Sequence, residues 1–239
     1  TVFMYAGNDT DVDLITGGKD SKLHYGLKLS DFCVDSRVKM TGGCGLVLNG
    51  YKHTNNIENV SFGRVNGQRD CNLWNGIFFK NCSLTNYTGF EIHVQNEGIM
   101  ICGVEDSDSG ADINIDKGTI TFTRVGIHLG GGFGGLYIGQ VLIYGCYEVG
   151  YLQDNSLCAR GNREIIISEL CVLDACHSYC ALIDDKLSIQ CVMQFGAFIS
   201  GAGWIAPATP GDGLYIKSMP HGRLSVTSNH IKHCKGNGI

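Results

Sequence analysis

The chain reads as an all-β protein, a right-handed parallel β-helix, on three observations. A phrase recurs: an aliphatic residue, two spacers, a cysteine, three spacers, and a small residue that opens an apolar run. It stands as IYGCYEVGY at 143–151, LDACHSYCA at 173–181 and IKHCKGNGI at 231–239. The opening itself, glycine followed by alternating hydrophobics, recurs as GLKL (26–29), GLVL (45–48), GFEI (89–92), GIHL (126–129) and GLYI (213–216). Finally, no stretch sustains a helical apolar period, whereas short alternating segments are frequent. Starts separated by 19 residues (Gly26 to Gly45) to 37 (Gly89 to Gly126) imply one strand-rich coil per repeat, stacked on the next. Crossovers between parallel strands are right-handed, which sets the expected hand.

Taken in order, residues 1–25 (TVFMYAGNDTDVDLITGGKDSKLHY) are polar and rich in Asp and Gly, a lead-in strand and loop. Residues 26–239 form the solenoid, each coil holding two or three short strands. Period-2 segments fall at LKL (27–29), TITFT (119–123), REIII (163–167), LSIQC (187–191) and RLSVT (223–227). Between 50 and 88 the register is weakest, with Cys71-Asn72-Leu73 as a candidate coil start. The stretch 94–118 reads as the longest insertion, and long loops on a solenoid cluster on its binding face. Thirty-four glycines and three prolines suit many tight corners between strands that keep their ladder donors. The chain lacks an initiator Met and opens a new repeat at Gly238-Ile239, so a fragment of a longer chain is expected.

Composition excludes several classes of function. Charged residues at 17% and hydrophobic residues at 44% describe a folded chain. A net charge of −5 argues against nucleic acid, whose phosphates it would repel. No apolar run of membrane-spanning length, signal peptide or lipidation motif occurs, so no membrane partner is expected. Of the twelve cysteines, Cys146, Cys176 and Cys234 hold the same place in three repeats and should stack inside the coil as small hydrophobes. Cys171, Cys176, His177 and Cys180 lie close together, yet their spacing matches no zinc signature. Reduced core thiols and assembly in a reducing cytosol follow, with no cofactor and no metal.

Two motifs have bland readings that fit better. GGGFGG at 130–135 contains G-x-G-x-x-G, but the strand pattern LYIGQVLIY follows where a phosphate-cradling turn would open a helix. A flat glycine corner beside a groove is the better reading. DSDSGADIN at 106–114 spaces Asp106, Asp108, Gly110 and Asp112 like the front of a calcium loop, but Lys117 stands where the closing Glu belongs.

Chemistry is expected on the outward column. Stacking places residues at a fixed offset from each start above one another, about 4.8 Å apart. Odd offsets point inward and even ones outward. That column reads Lys28 and Ser30, Glu91 and His93, His128 and Gly130, Leu152 and Asp154, Leu182 and Asp184, Tyr215 and Lys217. Leu152 and Leu182 sit badly there, and Gln153 would point inward, which suggests a one-residue shift of the two middle coils. Paired carboxylates are what glycoside hydrolysis needs. Glu91, Asp154 and Asp184, with Asp185 as the alternative under a shifted register, are the candidate catalytic acids. His93, His128, Tyr215 and Lys217 are the candidate sugar-binding residues. The bland alternative is a solvated face.

The repeats IYGCYEVGY and IKHCKGNGI resemble the right-handed β-helix repeat of the pectin-lyase-like superfamily. DVDLITGGKDSKLHYGLKLSDFCVD and NGIFFKNCSLTNYTGFEIHV are similar to bacteriophage tailspike and capsule-depolymerase proteins. The resemblance spans most of the chain and lies in repeat texture, so no catalytic residue transfers by motif. It implies a homotrimer on the phage tail, a virion component assembled in the host cytoplasm. Such a protein binds bacterial capsular or O-antigen polysaccharide and cuts it, by glycoside hydrolysis or by β-elimination. A lyase would draw its base from His93, His128, Tyr215 or Lys217; a non-catalytic adhesin would need no paired acids.

Overall fold

The structure, a computed structural model, describes residues 1–18, 24–63, 71–103, 111–188, 190–204, 211–227 and 230–239. It is all-β, with no helix among the described residues, and winds as a parallel β-solenoid of about 7 turns. Each turn crosses three faces. The first face is one ladder of eight strands: Ile15–Gly17, Cys44–Asn49, Asn75–Lys80, Glu97–Cys102, Val125–Leu129, Val149–Gln153, Tyr179–Asp184 and Asp212–Ser218. Along it, Leu46, Ile77, Ile99, Ile127, Tyr151, Ala181 and Leu214 point inward and are buried. Outward stand Val47, Phe78, Met100, His128, Leu152, Leu182 and Tyr215, each directly above the last. Alternation of period 2 sorts the two sets.

The second and third faces begin as single long strands, Lys28–Ser36, Asn55–Phe62, Ser83–Ile92 and Ala111–Thr121. Each bends at a left-handed residue in the same place: Asp31 (φ 61°), Asn59 (54°), Gly89 (68°) and Lys117 (53°), stacked in register. Asp and Asn tolerate that conformation better than most side chains, and Asn59 Nδ2 donates to Asp31 Oδ1 at 2.9 Å. Beyond this coil the bent strand splits in two. Gly135–Ile138, Glu164–Ile167, Val192–Phe195 and Arg223–Val226 carry the second face onward. Val141–Tyr144, Val172–Asp174, Phe198–Ser200 and Ile231–Lys232 carry the third.

A glycine opens six of the first-face strands at the corner where the third face hands over: Gly45, Gly76, Gly98, Gly126, Gly150 and Gly213. A Cβ on Gly126 would lie 2.5 Å from the Gly150 carbonyl oxygen and 2.6 Å from Cγ2 of the inward Ile143. The corner is too tight for any side chain without movement, which is the physical origin of the repeat. Cys180 stands at the equivalent place in one coil and is fully buried.

Several expectations about strands and register change. GLKL (26–29) and GFEI (89–92) are not first-face starts; they fall on the bent strands of the other two faces. The starts between Gly45 and Gly126 are Gly76 and Gly98, and Cys71-Asn72-Leu73 lies in the turn before Gly76. The described part of the stretch 94–118 holds the strand Glu97–Cys102 and most of Ala111–Thr121, while Asp106, Asp108 and Gly110 of the calcium-like motif lie outside the described residues. No shift occurs in the middle coils: Leu152 and Leu182 do face outward, and Gln153 is buried, accepting from the Tyr151 hydroxyl at 3.2 Å. LSIQC (187–191) forms no strand among its described residues. Residues 1–25 already belong to the ladders, Val2–Tyr5 pairing with Lys28–Ser36 and Ile15–Gly17 with Cys44–Asn49.

All twelve cysteines are free thiols. Cys146 and Cys176 are fully buried at the third-to-first corner, and Cys234 is half-buried in the last coil. Burial pushes the Cys171 thiol up to about 12. His177 turns out of the cysteine cluster, its Nδ1 lying 2.8 Å from the Tyr147 carbonyl.

Candidate functional site

Three successive coils of the first face bring Glu97, at the start of its strand and paired with Val125, together with the outward His128 and Asp154 in one hydrogen-bonded cluster. His128 Nδ1 lies 2.9 Å from Glu97 Oε2, in the coil before it. Its Nε2 lies 2.9 Å from Asp154 Oδ1, in the coil after it. His128 is 4% exposed. Burial alone would lower its pKa, but hydrogen bonds and charge from Asp154 and Glu97 outweigh burial and raise it to about 9. The ring is therefore an imidazolium at neutral pH, donating to both carboxylates. For Asp154, burial is again the largest influence and opposes ionisation; the His128 and Ser156 hydrogen bonds overcome it and hold the carboxyl below its usual range. Arg124 Nη2 closes the other side of Glu97 at 2.9 Å and also reaches Glu148.

One coil further on, Asp184 follows the same pattern with a lysine. Lys217 Nζ donates to Asp184 Oδ2 at 2.8 Å, and Lys186 Nζ stands 3.8 Å from the same oxygen. Asp184 Oδ1 is buried with no partner among the described residues. Asp154 and Asp184 occupy the same place in adjacent coils, just past the paired Gln153 and Ile183. Their side chains diverge, Asp154 reaching back one coil to His128 and Asp184 forward one coil to Lys217. Beside them, the Tyr179 and Tyr215 rings stack at 5.4 Å and 13°, with Tyr215 40% exposed. Flat exposed rings of this kind are platforms for the apolar face of a sugar.

The structure brings together Asp154, Asp184, His128, Tyr215 and Lys217, and separates the other three candidates. Glu91 lies on the bent strand of the other two faces, exposed and paired beside Thr119, so it shares no column with the two aspartates. His93 follows that strand at a corner, 6% exposed, with Nδ1 3.3 Å from Thr121 Oγ1 and its ring against Phe122. Asp185 points inward at 0% exposure and touches no solvent. Its carboxylate accepts from Gln153 Nε2 (3.0 Å), Asn155 Nδ2 (2.7 Å), the Asn162 amide N–H (3.1 Å) and Asn162 Nδ2 (3.0 Å). It pins the long 154–163 turn to the coil, a positioning task.

Glu97 was not among the sequence candidates. Its signal was present: NGIFF (75–79), EGIMI (97–101), VGIHL (125–129) and VGYLQ (149–153) share one pattern, and only that alignment sets Glu97 one coil from His128.

Two grooves flank this surface. One, of about 610 Å³, runs along the turns from first to second face and is lined by Gly132, Phe133, residues 159–163, Lys186, Leu187, Ser188, Gln190, Pro220 and His221. The glycine corner at 130–135 thus sits beside a groove. There a Cβ on Gly131 (φ 104°) would fall 2.3 Å from the Cys158 carbonyl oxygen. The other, of about 510 Å³, lies on the second face over an asparagine ladder. Asn86 Nδ2 donates to Asn56 at 3.2 Å and Asn114 Nδ2 to Asn86 at 3.3 Å, with Tyr137 next in the column.

Comparison of the chain with protein-family models, with curated protein sequences and with solved structures finds no match in any of the three. The solenoid is consistent with a pectin-lyase-like β-helix, and the functional reading rests on the site's own geometry.

Proposed function

We propose that this chain is the carbohydrate-processing body of a phage tailspike depolymerase, which binds bacterial capsular or O-antigen polysaccharide across the first face and cleaves it by glycoside hydrolysis. The observation that supports this reading is the built state of the two aspartates. Each is held by a cation from a neighbouring coil, His128 at Asp154 and Lys217 at Asp184, beside an exposed tyrosine pair. Solvated surface acids need no such framework.

Asp154, kept ionised, is the base that activates water. Asp184 is the acid, a role that requires the exposed Lys217 to leave Oδ2 as the sugar enters. An inverting course needs the pair to stand about 6.5–9.5 Å apart, with that water between them. His128 has both ring nitrogens engaged and acts by positioning Asp154. Tyr215 and Tyr179 carry the sugar ring. Homotrimers on the virion belong to the same reading.

A second reading, β-elimination, is favoured by one observation: both aspartates already carry cations, and arginines line the adjoining groove, a setting that neutralises a uronate carboxylate. Lys217 or Tyr215 would then take the proton, since His128 has no free nitrogen. Incubating the protein with host polysaccharide and weighing the products decides between the two. Fragments heavier by one water support hydrolysis. Unsaturated uronates absorbing in the ultraviolet support elimination, and intact polymer that still binds leaves an adhesin.

A further inference from the structure

The groove of about 610 Å³ has a charge opposite to that of the chain. Arg160, Arg163, Lys186 and His221 line it, and no Asp or Glu is among its described lining residues. The molecule as a whole carries −5. Arg160 and Arg163 form no ion pair with a described residue, while Lys186 is 67% exposed and only loosely near Asp184. Like charges crowd one recess although acidic residues to neutralise them are plentiful elsewhere.

The recess is also held in shape. The turn that presents both arginines is fixed from within: Asn162 donates its amide N–H and Nδ2 to the buried Asp185, and its Oδ1 accepts from the Phe133 amide at 3.3 Å. Asn155 Nδ2 donates to the Arg160 carbonyl at 2.8 Å, and the Gly132 amide donates to the same oxygen at 2.9 Å. The backbone either side of Arg160 and Arg163 is therefore set before any ligand arrives. In the same lining, Ser188 is 1% exposed and its Oγ has no hydrogen-bond partner of ordinary geometry among the described residues. The Cys191 thiol beside it is a weak partner at best. A buried hydroxyl without a proper partner is costly, and a ligand oxygen in the recess would satisfy it.

We propose that this groove is an anion subsite that receives the carboxylate of an acidic sugar unit, so that the polysaccharide taken by this chain is an acidic one. Arg160 and Arg163 donate to the carboxylate, Lys186 adds charge, and the Ser188 hydroxyl donates to an oxygen of the same sugar. The inference rests on the polysaccharide reading above and names its substrate class. A phosphate diester offers the same oxyanion chemistry, so the test separates the two.

The probes are purified acidic capsular polysaccharides of uronate, sialate and pyruvate-ketal type, each with its carboxyl-reduced form, together with poly(glycerol phosphate) and neutral dextran. Binding to the immobilised full-length protein is measured at rising salt for wild type, Arg160→Gln, Arg163→Gln and Lys186→Gln. We expect at least one carboxylate polymer to bind and its carboxyl-reduced form to bind at least tenfold more weakly. Each arginine substitution should cost about ten- to a hundredfold, the range of a charge-assisted hydrogen bond, with a shallower salt dependence. All three changes are on exposed residues, and unchanged melting curves verify the folds. Binding to no carboxylate polymer, equal binding of reduced forms, preference for the phosphate polymer, or indifference to the three substitutions overturns the proposal. Cleavage is scored on the same samples. Arginine-dependent binding without products sinks the depolymerase reading and keeps the subsite. Cleavage of a glycan that ignores the arginines does the reverse.

Discussion

His128 holds the first-face site together through charge, and the sign of its pKa shift dictates how stability follows pH. Its folded pKa of about 9 lies above the ordinary value of 6.5. The imidazolium therefore contributes fully below about pH 6.5, where the unfolded ring is also protonated, and the contribution fades as pH rises through about 9. A shift of this size corresponds to roughly 3 kcal/mol. Asp154 works in the opposite sense, since its pKa is depressed and its share is lost as acid protonates it. Urea midpoints should fall between pH 6.5 and 9.5 in the wild type and change far less over that range in His128→Gln. That variant should also lose about 3–5 kcal/mol at pH 6.5, because Asp154 is left part-buried without its cation and Glu97 keeps only Arg124. Asp185 gives a second test at this scale. Its carboxylate receives four N–H donors, so Asp185→Asn turns one acceptor into a donor facing donors. Thermal unfolding should show a loss of about 2–3 kcal/mol, with proteolysis favouring the freed 154–163 turn. A stable Asp185→Asn protein that has lost only activity would restore Asp185 to the catalytic set.

Among the elements, the glycine-led strand of the first face governs the fold, and it was only partly legible. The pattern Gly-apolar-x-apolar identified Gly45, Gly126 and Gly213 correctly. It also picked out Gly26 and Gly89, which lie on the other faces. Apolar alternation after a glycine is common to every strand of a solenoid; what distinguishes the first-face glycine is a close approach of the next coil, which no single window displays. A Cβ at Gly98 would meet the Gly126 carbonyl oxygen at 2.6 Å. At Gly26 it would meet nothing within 4 Å, although its φ of 65° still favours glycine. The same blindness split the site. Asp154, Asp184, His128, Tyr215 and Lys217 were readable because they follow correctly placed starts, whereas Glu97 was lost with its unrecognised glycine. Gly98→Ala and Gly126→Ala should each destabilise the solenoid by more than 1 kcal/mol, since rigid backbone carbonyls must shift, when denaturant midpoints are compared with Gly26→Ser as control. Wild-type-like midpoints in both would mean that the corner relaxes without cost.

For the whole molecule, the stack of coils turns local pairs into a surface on which a polymer can lie, and activity tests whether that surface is catalytic. The first face carries Asp154 and Asp184 side by side, aromatic rings at 179 and 215, and the basic groove around the adjacent corner. A polysaccharide crossing the coils would meet all three. Asp154→Asn removes the proposed base but keeps an oxygen able to accept from His128, and Asp184→Asn removes the proposed proton donor but keeps its shape. Each should lower the rate of polysaccharide cleavage by about 10²–10⁴-fold, the contribution of a positioned acid or base, while binding holds; Asp154→Asn should also melt lower, because it removes a charge that pairs with His128. Glu91→Gln, on another face, should leave the rate unchanged. His128→Gln should show a loss that depends on pH, because its influence on Asp154 is electrostatic. Nuclear magnetic resonance of the first-formed sugar reads the working separation of the two carboxylates, inversion marking a pair about 6.5–9.5 Å apart and retention a pair about 5–5.5 Å apart. If Asp154→Asn and Asp184→Asn both cleave at near-normal rates, the first face only binds. Catalysis would then fall to acids contributed where neighbouring chains of the proposed trimer meet, which oligomers mixed from active and inactive subunits would reveal.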